Sequence, residues 1–363
     1  MTRLHAVLLL IPLSAACTTR DDDYLLLRRP TTKPGEPTAA LELAPRTDAE
    51  AYYLRHLLAS GFGAELLRTY AMTKRFAART GGRRETDTMI ALGAPDHPAL
   101  GAPARRVKIG WWRTKLAADA PIIWIDDSGP RRARSTMADL VSGFGGAILD
   151  VVAPETGAPY SKSSALRDGY IDFLQVVAAE WRPPSDTDDR DDLRQLSVFA
   201  DVRGNGAVRR LDDSPHAMIA DPAVVATVFY RLAASDLGRR MAEPAVYKPF
   251  LEAQPPRDIH PALLLGAFRN FQAKLIAAWT RAQAAGRPPH DLIDLVEAYG
   301  DAYPAERAEA TRIFLVTTYG ATALPGAVRA DEAPEQIEIQ LAALTADVLF
   351  GRRGLRDGFA RAR

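Results

Sequence analysis

The chain has 363 residues, with 46 Lys or Arg against 45 Asp or Glu and a formal net charge of +1. That balance excludes a nucleic-acid binder held mainly by counterion release, and a composition 47% hydrophobic and 25% charged excludes disorder over the whole length. At roughly 100 to 200 residues per domain, the length allows two domains or one large one.

The first element is an export signal. Arg3 precedes an apolar run from Ala6 to Leu13, broken only by Pro12, and Ser14-Ala15-Ala16-Cys17 follows. The run is less than half the ~20 apolar residues a membrane span needs, and small residues before a cysteine suit a signal peptidase. The stretch resembles a bacterial lipoprotein signal, departing from it at Ser14, where that family prefers a branched apolar residue. The resemblance covers the signal alone and implies cleavage of 1–16, diacylation of the Cys17 thiol and membrane anchoring by acyl chains. Each buried methylene contributes about 0.8 kcal/mol. Cys17 is the only cysteine, so the mature chain can make neither an internal disulfide nor a cysteine metal site. Loss of Arg3 leaves 45 basic and 45 acidic residues, so attraction to anionic lipid is not the anchor. Thr18 stands where Asp would resemble an inner-membrane retention signal, which implies the outer membrane, with the chain facing the periplasm.

Residues 17–46 combine Asp21-Asp22-Asp23, prolines and one apolar patch at Tyr24-Leu25-Leu26-Leu27, and read as a flexible tether. Thr47-Asp48-Ala49-Glu50 has the capping-box pattern and predicts a helix from about 48 to Ser60-Gly61, with a second from Ala64 to Arg79. Val107–Trp112 and Pro121–Ile125 are β-branched and aromatic runs that predict strands paired with each other. Ser135–Val152 and Ser164–Trp181 return to helical spacing, the latter with Tyr170, Phe173, Leu174 and Val177 on one stripe. The acidic connector 186–192 suggests a boundary between an α+β region at 47–185 and a mainly helical one at 193–351. The latter starts with a hairpin at Leu196–Gly206 and continues as helices at 222–238, 261–286, 291–299, 304–320 and 334–351, ahead of a basic tail at 352–363. Leu58–Gly63 and Leu140–Gly145 echo each other as two helical junctions. The fold class expected is α+β, predominantly α-helical, with a small β-sheet in the first half and a helical second half.

Chemistry is sparsely signalled. There is no G-x-S-x-G elbow, H-E-x-x-H, S-x-x-K or Walker loop. Asp126 and Asp127 end the apolar run 121–125 and are candidate catalytic carboxylates, although Asp-Asp-Ser-Gly-Pro is also ordinary turn composition. Asp201, Asn205 and Asp212 match part of a calcium loop, but Arg203 stands where an oxygen ligand belongs and Asn205-Gly206 is a strong hairpin turn. His56, His97, His216, His260 and His290 never fall at helical metal spacing. No cofactor is called for. These readings favour a lipid-anchored envelope protein with a binding or scaffold role, whose partners are the membrane and an envelope protein and not nucleic acid. The alternative is a periplasmic hydrolase of a glycan or peptidoglycan component, using Asp126 or Asp127.

Overall fold

The computed structural model describes residues 24–28, 41–59, 61–81, 88–92, 106–109, 112–115, 122–125, 136–152, 164–180, 219–242, 246 and 266–323. The protein is α+β and mostly helical, with a small sheet early in the chain. It divides into two compact units, Met1–Tyr53 with Thr86–Asp127, and Leu54–Glu85 with Ser128–Arg363. The division falls at 53, 85 and 127, and the acidic connector 186–192 lies outside the described residues.

The first unit is a mixed six-stranded sheet in the order β5-β4-β2-β1-β3-β6. Its strands are β1 (Leu25–Arg28), β2 (Leu41–Leu43), β3 (Met89–Leu92), β4 (Arg106–Ile109), β5 (Trp112–Lys115) and β6 (Ile122–Ile125). β3 lies parallel between β1 and β6, and all four of its residues are buried, which is why Met-Ile-Ala-Leu is apolar throughout instead of alternating. β6 closes one end of the order and does alternate, with Ile123 and Ile125 buried and Ile122 and Trp124 half-buried. The register Leu25–Met89–Ile122 and Leu27–Ala91–Trp124 sets those six side chains on one face as a single apolar cluster.

Three expectations change here. Leu25–Arg28 and Leu41–Leu43, inside the stretch read as a tether, are strands β1 and β2, because the four-residue apolar patch finds partners in β3 more than sixty positions later. The two strand runs do not pair with each other: β4 pairs β2 and β5, whereas β6 pairs β3. Helix α1 (Ala49–Ala59) is capped by Asp48 and not Thr47, since Asp48 Oδ1 accepts from the Glu50 and Ala51 amides at 3.0 Å each. The other Asp48 oxygen pairs with Arg28 at the end of β1.

The second unit contains α2 (Gly61–Gly81), α3 (Thr136–Val152), α4 (Ser164–Glu180), α5 (Pro222–Ala234), the short α6 (Asp236–Arg239), α7 (Gly266–Ala284), α8 (Leu292–Ala302), a 3-10 turn at Pro304–Glu306 and α9 (Arg307–Ala323). α3 packs on α2 and α4, α4 on α5, and α7 on α2, α6 and α8. α4 approaches α5 closely at Gly169, where a Cβ would stand 2.5 Å from Val225 Cβ and 2.7 Å from the Pro222 carbonyl oxygen. Tyr170, Phe173 and Leu174 are buried as their spacing requires, while Val177 is only half-buried. The sequence echo is not a structural one. Gly61 takes φ 58° between α1 and α2, whereas 140–145 lies inside α3.

Rings link the helices: Phe62 meets Phe268, Phe173 meets Phe229, Phe268 and Phe271, and Phe271 meets Tyr299 at 6.2 Å. The Tyr170 hydroxyl donates to Gln272 Oε1 at 2.8 Å, and burial pushes that phenol well above the ordinary tyrosine range. Among the described residues no helix is long and apolar enough to cross a membrane.

Candidate functional site: a charged groove above a buried ion pair

Cys17, Asp126, Asp127, Asp201, Asn205 and Asp212 all lie outside the described residues, as do His97, His216 and His260. The site that the described residues do assemble is one the sequence reading did not single out, the α7–α8 pair. Two features compose it, a buried polar node and an open groove.

The node begins with α6, whose last carbonyls would be orphaned in the interior. Asn270 and Lys274, one turn apart on α7, supply the missing donors. Asn270 Nδ2 donates to the Gly238 and Arg240 carbonyls at 2.8 and 2.7 Å. Lys274 Nζ, with 0% side-chain exposure, donates to the Leu237 carbonyl at 2.6 Å and the Arg240 carbonyl at 3.0 Å. It also lies 3.0 Å from both Glu306 carboxylate oxygens. Glu306, itself buried in the 3-10 turn, accepts the Tyr299 hydroxyl at 2.6 Å, and Tyr303 returns a hydrogen bond to the Lys274 carbonyl at 3.2 Å. The two tyrosine rings stand 6.0 and 5.8 Å from Nζ, within cation–π range. Burial pulls Lys274 below the ordinary lysine range, and the bonded Glu306 carboxylate pulls it back up. Every Lys274 proton has an acceptor, so the charge is held in place with no donor left over for catalysis. The node fixes α6, α7, α8 and the 3-10 turn to one another.

The groove lies one turn further along the Lys274 face of α7. Ala278, Ala282 and Ala285 line it from α7 and its C-terminal end, and Ala298 and Ala302 from α8, enclosing about 580 Å³. The charges around this alanine floor are sorted by element. α7 contributes Arg281, the connector contributes Arg287 and His290, and α8 contributes only carboxylates, Asp294, Glu297 and Asp301. The local sequence accounts for the first of these acids. Asp291 caps α8 by accepting from the Asp294 amide at 3.0 Å, and Asp294 reaches back to the His290 amide at 3.0 Å, so acids belong in this first turn. Arg287 Nη1 reaches Asp301 at 3.5 Å, and Arg307 from α9 pairs with the same carboxylate. Arg281 is exposed and has no carboxylate partner among the described residues.

Of the candidate site residues and histidines named from the sequence, only His56 and His290 are described, and both are exposed residues at helix ends. Among the described residues no three His, Cys, Asp or Glu side chains are placed to hold a metal ion. One signal could have exposed the node. Lysine is rare in this arginine-rich chain, and Lys274 interrupts the largely apolar Phe271–Trp279 stretch. No protein-family model, no curated protein and no solved structure matches the chain.

Proposed function

We propose that this is an outer-membrane lipoprotein, acylated on Cys17 and facing the periplasm, with a binding or scaffold role in an envelope complex. The observation that carries the reading is the position of the sole cysteine, directly after a short apolar run and two alanines. The α7–α8 groove adds a place for binding: an alanine floor that lets another backbone approach closely, within a charged rim that sets orientation. The node beneath it supplies the rigidity that keeps ordering costs low.

The experiment is fractionation of cells expressing the wild-type chain or Cys17→Ser, with a photo-crosslinking residue at position 281 in each. Acylated wild-type chain in the membrane fraction with one discrete crosslinked product, and an unacylated variant released from the membrane, is the expected result. A chain that stays in the membrane fraction without its cysteine refutes the anchor, and a groove that crosslinks to nothing refutes the docking role.

A second reading, a periplasmic hydrolase of a glycan or peptidoglycan component, draws on β6. That strand runs parallel to β3 and ends at Ile125, so Asp126 and Asp127 follow the C-terminal end of a parallel strand, where ligand-binding groups collect in open sheets. Peptidoglycan-degrading activity that disappears in both Asp126→Asn and Asp127→Asn would favour it over the scaffold role.

A further inference from the structure

We infer that the corner where β2 turns into α1 is a membrane-contact surface, with Leu43 and Tyr52 seated in the lipid headgroup layer beside the acylated Cys17. The inference rests on the acylation proposed above and adds to it a contact made by the folded chain itself. It starts from a shortened tether. Leu25–Arg28 is a strand paired on both sides, with β2 and with β3, so the stretch joining the anchor to the fold ends at Leu25 and not near residue 46. The eight residues 18–25 reach at most about 28 Å. β1 and β2 run antiparallel, with Leu27 opposite Leu43 and the Ala44 amide donating to the Leu26 carbonyl at 2.9 Å. The start of β1 and the end of β2 therefore lie at the same end of the sheet, and the chain from the anchor enters beside the corner.

Among the described residues only Leu43, Tyr52 and Met241 are large apolar side chains left exposed, and the first two flank this corner. Leu43 is 41% exposed although Leu27, its neighbour across the strands, is fully buried. Tyr52 is 70% exposed on α1, whose Ala51 and Leu54 are buried. Between them the chain makes one tight turn, closed by the Asp48 amide on the Pro45 carbonyl at 3.1 Å and fastened to β1 by the Arg28–Asp48 ion pair. Two side chains fall far short of the ~800 Å² per partner that a standard protein interface buries. A surface already held within reach of a bilayer needs much less, because its contact forms at high effective concentration. Tyrosine, apolar in body and polar at its tip, suits the boundary between water and hydrocarbon, and leucine suits the acyl chains beneath it. The mature chain is formally neutral, so the contact is apolar and insensitive to salt.

The test places a thiol-reactive, environment-sensitive fluorophore on Leu43→Cys, on Tyr52→Cys or, as the reference, on Ala308→Cys, an exposed position of α9. The acylated chain is reconstituted in vesicles of phosphatidylethanolamine and phosphatidylglycerol. In parallel, the chain from Thr18 onward is held on the same lipids by a histidine tag and a nickel-chelating lipid, so the contact is read even where Cys17 proves unmodified. At 43 and 52 the emission should shift to the blue on vesicles and be lost to a nitroxide at the top of the acyl chains, and both signals should persist at raised salt. At 308 neither should appear. Leu43→Asp should abolish the signal of a label at 52, a result that a dye partitioning on its own would not give. Thermal melts confirm that the variants remain folded. Labels at 43 and 52 that behave like the one at 308, a signal at all three positions, or one that Leu43→Asp leaves unchanged overturns the contact and leaves the acylation untouched. A blue shift that grows with protein concentration in the absence of lipid also overturns it, and means that the corner docks on a second copy.

Discussion

Along one side of α7, Asn270 and Lys274 spend every side-chain proton on a named acceptor, two for the amide and three for the ammonium. Along another, Gln272 Nε2, Trp279 Nε1, Thr280 Oγ1 and Gln283 Oε1 are buried with no partner among the described residues. The difference follows charge. A neutral donor or acceptor left alone inside a protein costs a few kcal/mol at most, whereas an ammonium or carboxylate left alone costs several and is accepted only when fully paired. The satisfied side therefore holds its elements together through charge, whereas the other contributes through its hydrocarbon and through Gln272 Oε1, which accepts from the Tyr170 hydroxyl of α4.

The largest expected effect comes from breaking the satisfied side. Lys274→Met leaves Glu306 buried and uncompensated and should cost about 3–5 kcal/mol in urea unfolding. The double variant with Glu306→Gln should recover part of that loss, and a single-variant cost under about 1 kcal/mol would mean the ion pair holds nothing. Packing provides the next comparison. Gly169→Ala drives a methyl into Val225 and should cost about 1–3 kcal/mol, less than the lysine although it too is an interior contact between helices.

A carboxylate with no cationic partner among the described residues gives the third. Asp172 on α4 is pushed up to about 6, first by burial and then by the neighbouring Asp168 and Asp221 carboxylates. Its folded value lies above the ordinary 3.8, so the folded state binds the proton more tightly and stability falls as pH rises between the two values. Asp172→Asn should therefore raise the melting temperature at pH values above about 6, with a gain on the order of 1 kcal/mol after allowance for solvent screening. The gain should vanish as the pH falls towards the ordinary aspartate value. An advantage constant across that range would point to a cause other than titration. The smallest effect belongs to the unsatisfied side: Thr280→Val removes an orphaned hydroxyl at nearly constant volume and should change stability by less than about 0.5 kcal/mol, or raise it, in the same urea assay.

Much of the helical unit was legible because its signals are local. The start of α8 near Asp291, proline in the first turn of α5 and the aromatic stripe of α4 can each be read from a few adjacent residues. The sheet was half legible. β6 announces itself through Ile-Ile-Trp-Ile, but Leu25–Arg28 is too short to show a period and becomes a strand only because distant β3 matches it. The composition of the node was not legible, since Lys274, Tyr299 and Glu306 come together only when α7, α8 and the 3-10 turn pack. A lone lysine on an apolar stripe hints at a buried pair without naming its partner.

An envelope role stands or falls with Cys17. The most direct measurement is mass spectrometry of the N-terminal peptide of the chain isolated from native membranes. A peptide that begins at Cys17 and carries the added mass of acyl chains is the expected result. A peptide that retains Met1–Ala16, or one that holds an unmodified Cys17, would contradict it.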